Sequence, residues 1–218
     1  MSHETQKWVA SIVSGFSGVW KDSLIQEYLR IYPFATKAVS VTSRKPRDSE
    51  IHAKDYYFLT KQKVESLLQN WKLVDSFVNA KWDIYGLPKD ELRKLEDYQT
   101  VFFNVVPESW EKIQEVEPVN SLPIILVPRN FQEWKNRLMN RDDWMDQDEK
   151  MDRIQQDLDI NFKSDLCDIE KSMKNGKYHY NGKKYFLVNE EWRLGESVKC
   201  LKYLISTRIE RQLIAHFN

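Results

Sequence analysis

The chain has 218 residues, with 33 basic and 33 acidic side chains and a formal net charge of zero. That balance points away from nucleic-acid coats and polybasic membrane anchors, and no run reaches the ~18 apolar residues of a membrane span. Two cysteines, Cys167 and Cys200, give no disulfide framework and suit a reducing, cytoplasmic compartment.

The length suits one compact α/β domain with an inserted lobe, or two small domains. Residues 8–13 are apolar and β-branched enough for a short central strand. The small-residue turn Ser14-Gly15-Phe16-Ser17-Gly18 follows, and Leu24, Ile25, Tyr28 and Leu29 then take helical spacing. Residues 8–20 are too poorly flanked for a signal peptide, because no small-residue cleavage site precedes Lys21-Asp22. Gly15, Gly18 and Lys21 invite comparison with the phosphate-binding pattern G-x-x-x-x-G-K-[ST]. With Gly15 first, Trp20 stands at the second glycine and Asp22 at the magnesium-ligating hydroxyl; Lys21 alone matches. An indole at Trp20 fills the phosphate space or forces another loop path, and Asp22 brings like charge to a triphosphate. A plain strand–turn–helix without nucleotide is the alternative.

Tyr32-Pro33 ends the first helix, and residues 38–41 read as a strand. A polar turn with Arg44 and Arg47 follows, then a strand over 54–59, a helix marked by Val64, Leu67 and Leu68, and a strand over 73–78. Residues 79–83 form a loop before Ile84-Tyr85-Gly86, and 89–95 a charged helix.

The segment Ser40-Val41-Thr42-Ser43-Arg44-Lys45-Pro46-Arg47-Asp48-Ser49-Glu50, with Asp55-Tyr56-Tyr57-Phe58 and Ile84-Tyr85-Gly86 after it, resembles the acceptor-binding segment of guanylate kinases. The order of elements from Trp8 to about Leu204 fits that family as well. The resemblance implies that Arg44 and Arg47 grip the phosphate of acceptor GMP, a task suited to a planar guanidinium fork. It implies that the hydroxyls of Tyr56 and Tyr85 reach the same phosphate and that Ser40 lies near the guanine edge. The family's guanine-reading glutamate falls on Ser76 by ungapped counting, or on Asp75 with a one-residue insertion; Asp75 is preferred. Ser49 and Ala53 replace family glycines.

Residues 100–107 read as a buried strand. In the family it carries the magnesium-site acids, whose positions here hold Asn104 and Val106. Residues 118–123 read as a loop, and 122–128 as the strand before the lid. Phe131, Trp134 and Leu138 make an apolar helix face. Arg137, Arg141 and Arg153 resemble the lid arginines that steady a transferring phosphoryl group. Ile154, Leu158 and Phe162 continue a core helix. Asn181-Gly182 marks a hairpin over 177–188, an elaboration on the family pattern, and Asn189 falls near the implied adenine site. A C-terminal helix runs from Val198 through Ile205 or beyond. The four histidines and two cysteines show no metal-ligand spacing.

The expected architecture is therefore a P-loop NTPase-like α/β fold with a parallel-sheet core (1–36, 95–128, 156–218), a mixed acceptor lobe (37–94) and a helical lid (129–155). Three functions follow from the resemblance. The first is a pseudoenzyme or weak kinase that keeps an acceptor-phosphate pocket for a GMP-like nucleotide or a phosphorylated protein partner. Its degenerate donor site would comprise Gly15, Gly18, Lys21 and Asn189. The second is an active kinase moving the ATP γ-phosphate to GMP or dGMP, with Mg and ATP, and with Lys21, Arg137, Arg141 and Arg153 as the catalytic set. The third is a phosphate-independent interaction module. Neither nucleic acid nor membrane is expected as a partner.

Overall fold

A computed structural model describes residues 8–79, 81–107, 109–116, 120–140, 146–190 and 193–216. Strands β1 (Val9–Gly15), β2 (Ala35–Lys37), β7 (Thr100–Asn104), β8 (Ser121–Val127), β9 (Tyr178–Tyr180) and β10 (Tyr185–Val188) form one sheet in the order β2-β7-β1-β8-β10-β9. All neighbours are parallel except β10 and β9. Because β1 pairs on both edges and is covered on both faces, it is buried almost throughout, with only small serines at Ser11 and Ser14 among its apolar residues and no polar-apolar alternation.

Period-two geometry sends alternate residues of β1 to opposite faces. Val9 and Val13 join Leu24, Ile25 and Tyr28 of helix α1 (Lys21–Ile31) and the buried face of α8 (Leu194–His216). Ala10 and Ile12 join Val101, Phe103 and Ile113, the last from α4 (Ser109–Val116). Each such side chain contributes roughly 1.5–3 kcal/mol by leaving water.

A second sheet has the order β4-β3-β6-β5, from β3 (Val41–Thr42), β4 (Tyr57–Phe58), β5 (Leu73–Val78) and β6 (Ile84–Pro88). Helix α2 (Lys61–Gln69) packs on it through Val64, and α3 (Lys94–Asp97) leads back to the large sheet. The strand expected over 38–41 is divided between the sheets. Ala38 N–H still bonds Phe102 O, but Val39 N–H donates to Glu91 Oε2 at 2.7 Å, and β3 begins only at Val41. The strand expected over 54–59 shortens to β4.

Helices α5 (Phe131–Met139) and α6 (Gln147–Gln156) follow β8, and α6 continues into a π-helical turn, Asp157–Asn161. Asn130 and Asp146 cap α5 and α6 with side-chain oxygens, worth about 1 kcal/mol each. Helix α7 (Leu166–Asn175) ends at Gly176 with φ 68° and leads into the hairpin, which forms around Asn181-Gly182 as expected. The loop expected over 118–123 gives way at Ser121, where β8 starts. Pro123 is tolerated because β10 pairs only from Ile124 onward. Among the described residues no helix is long and apolar enough to cross a membrane.

Candidate active site

The C-terminal end of β1 opens into the loop that precedes α1. Gly15 has φ 153°, and a Cβ there would lie 2.4 Å from Leu126 O, so only glycine lets β1 and β8 close at this point. Phe16 then turns inward and is fully buried, stacking on Phe162 at 4.4 Å and meeting the edge of Trp134 at 5.1 Å. Trp134 Nε1 donates to Ser17 O at 2.8 Å, and Ser17 N–H donates to Asp157 Oδ2 at 2.6 Å.

Trp20 precedes α1 in the left-handed region (φ 54°, ψ 41°) and gives the helix no side-chain cap. An L-residue pays about 1–2 kcal/mol for that conformation, which glycine adopts freely. Part of the cost is offset by Arg137, whose guanidinium lies 3.9 Å over the indole while its NH2 donates to Gly18 O. Asn189 Nδ2 holds the carbonyls of Val19 and Trp20 at 2.7 and 3.3 Å. Lys21 turns back onto its own loop, with Nζ 2.7 Å from Gly15 O and 3.0 Å from Phe16 O. Burial lowers its pKa and Arg153 adds to that, against the opposing charges of Asp157 and Asp22.

In the first turn of α1, Asp22 Oδ1 accepts from Asn104 Nδ2 at 3.1 Å, and Lys37 Nζ lies 3.9 Å away. Tyr56, just before β4, lies close enough to feel the Asp22 charge. Burial raises its hydroxyl pKa, and the charge of Asp22 raises it further.

The positive half of the cleft centres on Arg44. Its NH1 and NH2 form a fork on Glu50 with both distances at 2.6 Å, and its guanidinium lies 5.3 Å over Tyr56 and 5.4 Å over Phe58. Burial opposes the charge, but Glu50 and Tyr85 outweigh it and hold the group above its ordinary pKa. Arg44 Nε is buried and has no hydrogen-bond partner among the described residues. Arg47 stands close enough for burial, Arg44 and Arg153 together to lower its pKa. Arg153 thus acts on both Arg47 and Lys21 and joins the two halves electrostatically.

Burial works to raise the Glu50 carboxyl, but hydrogen bonds from Arg44 and from Arg47 N–H prevail and hold it below its ordinary value of 4.5. A depressed carboxylate adds stability that is fully present above about pH 4.5 and is lost as pH falls through the lower folded value. In acid titrations followed by circular dichroism, Glu50→Gln is expected to flatten this part of the acid limb relative to wild type. Parallel acid limbs would contradict it.

The sequence profile described as Guanylate kinase matches residues 8–175. The chain belongs to the guanylate kinase family. The guanylate kinase of Clostridioides difficile (strain 630) is 30% identical over 137 residues, covering 62% of this chain and 66% of that protein. That of Bacillus anthracis is 31% identical over 134 residues, covering 60% and 63%. The match therefore spans just under two thirds of these relatives. In fold, the chain is similar to the crystal structure of guanylate kinase from Anaplasma phagocytophilum, with TM-score 0.63 and 17% identity over 96% of this chain and 95% of that one.

Among the residues singled out from the family pattern, Arg44, Arg47, Tyr56 and Tyr85 gather around one point, with the rings of Tyr56 and Tyr85 5.9 Å apart. Ser40 lies between the two sheets, its carbonyl accepting from Tyr57 N–H. Asp75 differs from expectation. Its carboxylate accepts from Ser109 Oγ and, at 2.5 Å, from Lys112 Nζ, so α4 engages the group expected to read a guanine edge. Asn189 differs as well: it is 1% exposed, clamps the loop carbonyls, and leaves Oδ1 buried without a described partner. Arg137 of α5 reaches the loop at Gly18, and Lys21 at the start of α1 folds back onto the same loop with Arg153 near it, whereas Arg141 falls outside the described residues.

Two residues of the site are not singled out by sequence. Glu50 closes the Arg44 fork, although it stands in the quoted motif. Asp157 lies inside a helix assigned to the core, where a carboxylate three residues after Ile154 on an apolar stripe is the available signal.

Proposed function

We propose that this guanylate kinase-like chain keeps an acceptor pocket for a GMP-like mononucleotide and has an impaired ATP and magnesium half, making it a weak kinase or a pseudoenzyme. The observation that carries the reading is the buried, unpartnered Nε of Arg44, set among Arg47, Tyr56 and Tyr85. A phosphate oxygen would satisfy that N–H and meet two guanidinium charges there. The Arg44 side chain is only 12% exposed, which suits a small nucleotide better than a phosphorylated protein segment.

The residues at the donor side do not fit magnesium with a triphosphate. Asp22 is engaged by Asn104 beside Lys37, and the ammonium of Lys21 is committed to loop carbonyls. Trp20 stands in the left-handed backbone conformation that suits glycine, with its indole against the Arg137 guanidinium.

A second reading, active transfer to GMP or dGMP, draws on Lys21, Arg137 and Arg153, which remain grouped at the loop, and on relatives named guanylate kinases. A coupled ADP-release assay with magnesium-ATP and GMP or dGMP separates the two. The expected turnover lies well below the ~1 s⁻¹ of ordinary kinases. Turnover at or above that level would establish the second reading instead.

A further inference from the structure

Asp157 is 4% exposed and begins the π-helical turn after α6. One carboxylate oxygen accepts from Ser17 N–H at 2.6 Å and the other from Asn161 Nδ2 at 2.9 Å. Its charge also bears on the Lys21 ammonium. A backbone N–H in a glycine-flanked loop, with a lysine at the start of the next helix, is the arrangement that receives a phosphate oxygen. Here an oxygen of that kind comes from the chain itself.

A buried carboxylate is costly unless its hydrogen bonds are satisfied, so the partners of Asp157 account for its position. A polyphosphate entering the loop would have to displace it from Ser17, or share Ser17 and Lys21 with a second negative charge in a poorly screened site.

We infer that Asp157 is an internal stand-in for phosphate and sets the selectivity of the Gly15–Lys21 loop against polyphosphate ligands. This rests on the reading of an impaired donor half, but assigns the exclusion to a residue of the π-helical turn after α6 rather than to Trp20 or Asp22. The π-helical turn has a consistent role here, since it carries both Asp157 and the Asn161 amide that holds its second oxygen.

The test uses the full chain and two separate calorimetric titrations, one with inorganic tripolyphosphate without metal and one with GMP. Asp157→Ala is expected to bind tripolyphosphate at least about tenfold more tightly than wild type. Asp157→Asn should gain less, because its amide oxygen still accepts from Ser17 N–H although the charge is gone. GMP affinity should agree within about twofold across all three proteins. The double variant Trp20→Gly with Asp22→Ser leaves Asp157 in place and should fall short of the gain made by Asp157→Ala. The backbone amide resonance of Ser17 should shift with tripolyphosphate in Asp157→Asn and stay put in wild type. If the alanine variant does not fold, the asparagine variant and the Ser17 resonance decide.

Unchanged tripolyphosphate affinity in folded Asp157→Asn would overturn the inference. So would a full gain from the Trp20 and Asp22 changes alone. Loss of GMP binding in wild type, with the tripolyphosphate gain intact, would overturn the acceptor reading and leave Asp157 standing.

Discussion

Replacing Arg44 by alanine is expected to weaken GMP binding about 100-fold, measured by isothermal titration against wild type. A hydrogen bond to a charged group is worth about 1.5–3 kcal/mol, and a phosphate at this point would lose Nε and the favourable charge together. Two such contributions amount to roughly 3 kcal/mol, or about two decades in Kd. Arg44→Lys keeps a charge but offers no planar fork, so about tenfold weakening is expected. The substitution also strands Glu50, whose side chain is 15% exposed and would lose its bidentate partner. Arg44→Ala combined with Glu50→Gln separates the two effects. Stability should recover in the double variant, while GMP affinity stays low. Recovery of affinity along with stability would mean that Arg44 only orders the loop.

The cluster of Arg44, Arg47, Tyr56 and Tyr85 was legible because its residues stand in short motifs and carry group-specific chemistry: two arginines three apart, one tyrosine just before β4 and one in β6. The central strands were legible for a different reason. Residues 101–103 are apolar throughout and 9–13 are apolar but for the buried Ser11, as befits strands buried on both faces. What sequence could not supply was the partner of each polar group. Glu91 lies 52 residues from Val39, yet it takes the N–H of Val39 and thereby helps pull the chain from one sheet to the other. Asp22 and Asn104 each looked like a separate loss at the donor site. In space they hydrogen-bond to one another across 82 residues, so the two changes form one local arrangement. Asp75 likewise had the right chemistry for a guanine edge, and only the packing of α4 against β5 brings Ser109 and Lys112 onto its carboxylate.

Trp134→Ala is expected to cost about 3–5 kcal/mol of stability, read from urea unfolding followed by far-ultraviolet circular dichroism. Trp134 is 1% exposed and packs against both Phe16 and Phe131, so its removal leaves a cavity at the junction of α5 with the phosphate-loop region. Its Nε1 also holds Ser17 O, on the same residue whose N–H is held by Asp157. Trp134→Phe keeps most of the apolar contact and removes only that hydrogen bond, so a smaller loss of about 1–2 kcal/mol is expected. The two variants should also differ in what they do to the loop. With the ring present but the Ser17 carbonyl released, hydrogen exchange at Ser17 should quicken in Trp134→Phe while exchange in β8 stays near wild type. Uniform quickening across the sheet would instead show that Trp134 serves the core alone. Ser17 is thus restrained from two sides, by an indole through its carbonyl and by a carboxylate through its N–H. Removing one restraint tests whether the other suffices to keep the loop closed.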